Sequence, residues 1–359
     1  MKRWWLVGLT GMLVSVGVLI RNTGTDPHGP LVSTFSIVGY DSVTGDLGVA
    51  IQSKFPNVRP LVPWARAGVG AVATQSFVEL DYGIKGLELM ANGATAEEAL
   101  RIVLRGDEGR QSRQVGIVDA HGNAATWTGT EAFAWAGGRV GGRAGTPTEV
   151  GADEGNLGMV VTGHGYTAQG NILVSEETVA AMAETFGATE GELADRLLAA
   201  LVAGGHAGGD QRGEQSAALL VVRAGAGYDS VDNFIDISVY DNPAPIAELV
   251  RLYGLNNLYF TRSKPENMIP VTEAIARELQ EIWKVRGFYD GPVDGRVDAE
   301  FQQILVDYMG WENYDTRIPP VESVDLGAGE TLKIDREVLE DIRAVFRDGR
   351  WKPRRRPGG

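Results

Sequence analysis

The sequence predicts an α/β (α+β) protein, a four-layer αββα sandwich followed by a small, mostly helical C-terminal domain. Three observations carry this expectation. Strands and helices come in groups (strands, two helices, strands, two helices, strands). Two sheets, each covered by a helix pair, fit that order better than one doubly wound parallel sheet. A polar stretch bracketed by prolines, Thr261–Pro270, then precedes three further helices. Finally, 359 residues with 43% hydrophobic and 22% charged content suffice for two domains that each bury a core.

Taken in order, Thr34–Tyr40 reads as the first strand, with Phe35, Ile37 and Tyr40 on one face. Leu47–Gln52 is its hairpin partner across the turn-forming cluster Asp41–Asp46. Gly68–Gln75 (GVGAVATQ) is a small-residue strand that lets a neighbour pack closely. Asp81–Asn92 and Thr95–Leu104 are helices, because Leu87 and Met90, then Ala99, Ile102 and Val103, recur at helical spacing. Thr95 with Glu98 forms a capping-box pattern. Gln114–Asp119 and Ala124–Trp127 are strands joined by a turn, and Leu157–Thr162 is another. Ser175–Phe186 and Glu190–Ala203 form the second helix pair. Ser216–Val222 and Asn233–Val239 complete the strands, and Ala244–Tyr253 is the last helix before the boundary. Beyond it, Val271–Arg286 carries Ile275, Leu279, Ile282 and Trp283 on one face. The loop Gly287–Gly295 and the helices Val297–Met309 and Asp335–Arg347 complete this module. Residues 348–359, Pro/Gly-rich with Lys352, Arg354, Arg355 and Arg356, are expected as a basic disordered tail.

The formal net charge of -14 repels phosphate backbones, so nucleic-acid binding is not expected. Without Cys the chain offers no disulfide, thiolate zinc site or thiol nucleophile. His-Glu-x-x-His, Gly-x-Ser-x-Gly and phosphate-loop motifs do not occur. Gly68–Ala73 mimics a dinucleotide fingerprint but ends in a strand, and neither Asp232/Asp236/Asp241 nor Asp290/Asp294/Asp298 has metal-loop spacing. No cofactor or metal is expected. Residues 1–32 place Lys2 and Arg3 before an apolar run, Trp4–Ile20, then Arg21 and a Gly/Pro-rich stretch. That is the layout of a signal peptide or short membrane anchor, which puts the protein in the cell envelope or outside the cell. The alternative is translation starting near Val32, which leaves it in the cytoplasm.

Ser33 and Thr34 open a strand directly behind this removable segment. At a new N-terminus, a hydroxyl is a nucleophile and the free α-amine of the same residue is its base. An α-amine has a pKa near ~8, so much of it is close to neutral at physiological pH. Taken alone, a Ser-Thr pair entering a strand is ordinary strand and turn chemistry.

Longer motifs add to this. Residues 33–253 resemble the bacterial and archaeal domain of unknown function 1028 family, through Thr34–Val38, Gly45–Ala50, Val62–Gln75, Gln114–Gly116, Ala168–Asn171 and Gly208–Ala218. The resemblance implies an N-terminal-nucleophile hydrolase-like fold. In that family a Thr directly follows the initiator Met, and Thr34 matches it. Here Ser33 and a long extension precede that Thr, and Ser33 becomes the N-terminus if translation starts at Val32. Residues 266–347 resemble a peptidoglycan-binding-like module, through Leu279-Gln280, Gly287–Gly295 and Met309–Asn313.

Around Thr34 and Ser33 the candidate residues lie in glycine-rich segments. Gln169 and Asn171 can hold a substrate carbonyl or an oxyanion, and His164 lies in the same Gly-rich stretch. Asp210 can orient the α-amine, and Arg212 can fork onto a substrate carboxylate. Lys54 can lower the amine pKa by like-charge repulsion. The expected function is an amidohydrolase acting on a small molecule or short peptide. The alternative is an inactive hydrolase-like binding protein of the envelope that associates with peptidoglycan. Sandwiches of this type often self-associate, so a homo-oligomer is a further expectation.

Overall fold

A computed structural model describes residues 31–32, 34–142 and 157–354. The expected leader up to residue 30, Ser33 as a nucleophile, and the end of the basic tail lie outside the described residues. The first half comprises β1 (Leu31–Val32), β2 (Thr34–Tyr40), β3 (Leu47–Ser53), β4 (Pro63–Arg66), β5 (Gly70–Phe77), α1 (Leu80–Ala91) and α2 (Ala96–Arg105). Next come β6 (Arg113–Asp119), β7 (Asn123–Thr128), β8 (Gly137–Val140), β9 (Val160–His164) and β10 (Tyr166–Asn171). Then follow α3 (Glu177–Ala188), α4 (Leu193–His206), β11 (Ser216–Val222), β12 (Asn233–Val239) and α5 (Pro245–Phe260). The C-terminal part holds β13 (Met268–Pro270), α6 (Glu273–Arg286), α7 (Ala299–Trp311), α8 (Pro319–Glu322), β14 (Lys333–Asp335) and α9 (Arg336–Arg347).

This is a mixed α and β chain with antiparallel sheets and a largely helical C-terminal region. One sheet runs β1-β5-β6-β7-β9, with β4 on β5; the other runs β12-β11-β3-β2-β10-β8. Strand alternation decides what each sheet face meets. Along β2, Phe35 and Ile37 join Met182, Phe186, Leu197 and Leu201 of α3 and α4. Val38 points the other way, onto Ala71 and Ala73 of β5. Tyr40 packs with Val38 and not with Phe35 and Ile37, which corrects the expected face: three residues from Ile37 is an odd step along a strand. On the first sheet, Val72, Val115, Ile117 and Trp127 are covered by Leu87, Met90, Leu100 and Val103 of α1 and α2. Thr95 caps α2 as expected: its hydroxyl accepts from the Glu98 N–H while Glu98 accepts from the Thr95 N–H.

Between the sheets, one end is apolar, with Leu47, Val49 and Ile51 of β3 meeting Val58, Val62 and Val118. The other end is polar and holds the candidate site.

The C-terminal core joins Leu279, Ile282 and Trp283 of α6 to Leu305, Tyr308 and Met309 of α7 and Leu339 and Ile342 of α9. Helix α5 belongs to both cores. Ile246 and Leu249 near its start pack under α4, whereas Leu258 near its end lies in the C-terminal core. Tyr259 stacks on Tyr314 at 5.5 Å. Arg317, fully buried, donates to the carbonyls of Asn257 (2.7 Å) and Leu258 (3.2 Å) and pairs with Asp335 (2.6 Å) and Glu337 (3.1 Å). A cation at a helix C-terminus satisfies carbonyls that have no partner within the helix. The polar segment after residue 261 therefore follows a helix that already ties the two parts together.

Residues 348–354 continue along this module rather than leaving it. Trp351 stacks on Phe346 at 5.5 Å, and the Arg354 N–H donates to the Arg286 carbonyl at 2.9 Å. Its guanidinium lies over Phe288 and Trp311. Basic composition pointed to a solvated end; cation–π contacts hold its first part in place.

Candidate functional site

Thr34 is the first residue of β2, a central strand of its sheet, and it is fully buried. Ser53 stands opposite it on β3 and Asn171 opposite it on β10. Its hydroxyl donates to Ser53 Oγ at 3.1 Å. Its carbonyl accepts from Gln75 Nε2 at 3.3 Å and Asn171 Nδ2 at 3.5 Å. Gln114 holds those two amides: its Oε1 accepts from Gln75 at 2.8 Å and from Asn171 at 2.9 Å. Its own Nε2 donates to Thr128 Oγ1 (2.8 Å), the Gly170 carbonyl (2.8 Å) and the Gly137 carbonyl (3.2 Å). Because those partners include carbonyls, which only accept, the Gln114 amide has one allowed orientation. That orientation turns the NH2 groups of Gln75 and Asn171 toward Thr34.

The network continues inward. Ser36 donates to Gln75 Oε1 at 2.7 Å, and Gln169 Nε2 donates to Ser36 Oγ at 2.7 Å. A Cβ on Gly116 would collide with Gln169 Oε1 and Thr167 Oγ1, so glycine there lets the two sheets close around these amides. In a low-dielectric interior such a network rigidifies its members. Two left-handed residues follow the amides directly: Ser76 (φ 70) after Gln75, and Ile172 (φ 54) after Asn171. For a β-branched residue this conformation is strained by about 1–3 kcal/mol, and such strain gathers at functional sites.

The structure brings Thr34 and Asn171 together and places Asp210 at the same end of the sheet. Asp210, buried, accepts from the backbone N–H of Lys54 at 3.3 Å, one residue beyond Ser53. It also accepts from the Arg212 N–H at 2.8 Å and pairs with the Arg212 guanidinium at 3.2 Å. Asp210 therefore fixes the end of β3, and Arg212 stays part-exposed beside it. Gln169 and Asn171 lie inside β10, not in a loop, and the Gln169 amide is used within the interior.

Two expected residues do not join. His164 ends β9 and pairs with Asn123, at the far end of β10 from Asn171. The six residues of β10 separate them by roughly 17 Å at ~3.3 Å per residue. Lys54 follows Ser53, so its side chain leaves on the opposite sheet face from Thr34, and its ammonium donates to the Glu214 carbonyl at 3.1 Å. Nearby, burial pushes the Glu214 carboxyl above the usual carboxylate range. Residue-by-residue reasoning missed Ser53, Gln75 and Gln114. The available signal was an uncharged amide or hydroxyl near the end of three strands rich in apolar or small residues.

Among the described residues no cluster of His, Cys, Asp or Glu is arranged to hold a metal ion, and no helix is long and apolar enough to cross a membrane.

Residues 34–146 and 148–249 match the family described as "Family of unknown function (DUF1028)". With more than half of its length matched, the chain belongs to that family. Residues 259–341 match a second family, described as "Putative peptidoglycan binding domain". The crystal structure of a DUF1028 protein from Silicibacter pomeroyi is similar to this one, with a TM-score of 0.52 and 29% sequence identity. The similarity covers 63% of this chain and 89% of that one. No curated protein matches the chain.

Proposed function

We propose that the protein is a hydrolase of amide-type C–N bonds in small molecules or short peptides, with Thr34 as an N-terminal nucleophile. The stack of helix pair, sheet, sheet and helix pair is on this reading the four-layer sandwich of the N-terminal-nucleophile type. The observation that carries the proposal is the position of Thr34: a hydroxyl residue opening a central strand, with Ser53 and Asn171 on the two flanking strands. Removal of the residues before it frees the α-amine. The amine takes the hydroxyl proton as Oγ1 attacks the substrate carbonyl, then delivers it to the leaving nitrogen. Water hydrolyses the resulting acyl ester and regenerates the hydroxyl. Asn171 Nδ2 is the proposed oxyanion donor, Asp210 orients the segment that carries Ser53, and Arg212 receives a substrate carboxylate. The C-terminal module holds the protein at peptidoglycan in the cell envelope.

The test is intact-mass measurement on protein from its native host, followed by assay on amide substrates with Thr34→Ala alongside. The expected result is a chain beginning at Thr34 whose turnover is lost in Thr34→Ala. A native chain that keeps residue 33, or an unaffected variant, overturns the nucleophile. The burial of Thr34 inside a network of buried side chains favours a second reading, an envelope-binding protein without catalysis. It predicts an intact extension and retention on peptidoglycan.

A further inference from the structure

We propose that the cleft between the sandwich and the C-terminal module binds a sugar ring that bears a carboxylate. The proposal rests on the peptidoglycan part of the reading above and is independent of the Thr34 chemistry. The cleft has a volume of about 500 Å³, within the usual range for small-molecule sites. Its walls are held in register by α5 and by Arg317, so the cavity is preformed. Its acidic groups are already engaged. Glu192 pairs with Arg223 (3.3 Å), Asp195 accepts from the Tyr253 hydroxyl (2.8 Å), and Glu337 pairs with Arg317 (3.1 Å). By contrast, the side chains of Arg262 and Lys264 line the cleft and make no hydrogen bond or ion pair with another described residue. Two uncommitted cations at one wall select a ligand anion.

The same mouth carries exposed rings. Phe260 ends α5 at 56% exposure, and Tyr228 meets it edge-on at 6.5 Å and 86° with 82% of its own surface exposed. Tyr228 is presented by two successive left-handed residues, Asp229 (φ 54) and Ser230 (φ 62). Deeper in, Phe234 lies beneath the Arg223 guanidinium at 4.2 Å. Exposed aromatic faces offer an apolar surface to the C–H face of a pyranose ring, and the adjacent cations fix its acid group. Together they define the ligand: a ring and a carboxylate in one small molecule.

The probes are N-acetylmuramic acid, which has both, and N-acetylglucosamine, which lacks the carboxylate. Binding to the full chain is followed by NMR titration, with Arg262→Ser/Lys264→Ser and Phe260→Ser as variants. All three positions are exposed or half-exposed, so folding is retained, and circular dichroism checks it. N-acetylmuramic acid is expected to bind, N-acetylglucosamine about tenfold or more weakly, and each variant to lose about tenfold in affinity for the acid sugar. Equal binding of both sugars, unchanged variants, or no binding by the wild-type chain overturns the proposal. Sedimentation with insoluble peptidoglycan separates the two ideas. If wild type and variants sediment alike, the cleft falls and peptidoglycan association stands. If the acid sugar binds selectively but no chain sediments, the cleft stands and peptidoglycan association falls.

Discussion

Arg317 gives the sharpest test of how the two parts are joined. Its side chain is 1% exposed and its partner Asp335 is fully buried. Replacing Arg317 by Met keeps much of the volume but removes the only cation bonded to the Asp335 carboxylate among the described residues, and it strips a donor from the Asn257 and Leu258 carbonyls. Asp335 retains one bond, from the Glu337 N–H at 2.9 Å, in its role as N-cap of α9. Breaking a buried pair while leaving one charge behind costs about 3–5 kcal/mol. For a module of this size that lowers Tm by roughly 12 °C or more. Adding Asp335→Asn removes the stranded charge but keeps a capping side chain, so the double variant is expected to regain about 2 kcal/mol of that loss. Urea unfolding followed by circular dichroism measures both. A single variant within about 1 kcal/mol of wild type, or a double variant no better than the single one, would refute the keystone role.

Three further predictions follow from buried polar groups. Gln114→Leu is expected to destabilise by about 2–5 kcal/mol, because the carbonyls of Gly137 and Gly170 and the amides of Gln75 and Asn171 each lose a buried partner; denaturant midpoints check it. Gln52 is fully buried with neither amide atom hydrogen-bonded to another described residue, so Gln52→Met is expected to be neutral or stabilising by about 1 kcal/mol, and a loss of more than that in thermal unfolding counts against the burial argument. Burial raises the Asp107 carboxyl, but its bonds from Arg113, Tyr82 and Gly109 outweigh this and leave it below its ordinary value of 3.8. A depressed carboxylate stabilises the fold above its unfolded pKa and loses that contribution as pH falls through the folded value, so Arg113→Met should shift acid unfolding to higher pH in a titration followed by fluorescence.

The chain's own pattern was enough for much of the architecture. Alternation in Thr34–Tyr40 and Leu47–Ser53, helical spacing in Ala96–Arg105 and the Thr95–Glu98 box each depend on residues within one turn or one hairpin of each other, which a linear reading sees directly. The glycines of Tyr166–Asn171 misled it. Gly170 looks like a loop residue, but it sits in β10, where a side chain would collide with Leu173. Tertiary structure alone decided the site. Ser36 and Gln169 are 133 residues apart and Thr34 and Asn171 are 137 apart, yet each pair is bonded. Whether an amide is a solvated surface group or part of a buried network depends on which sheet faces which, and only the packing of one sheet on the other settles that. The same holds for Arg317 and Arg354. Sequence gives each a charge; the carbonyls, carboxylate and aromatic rings that use that charge are assembled only when distant segments fold together.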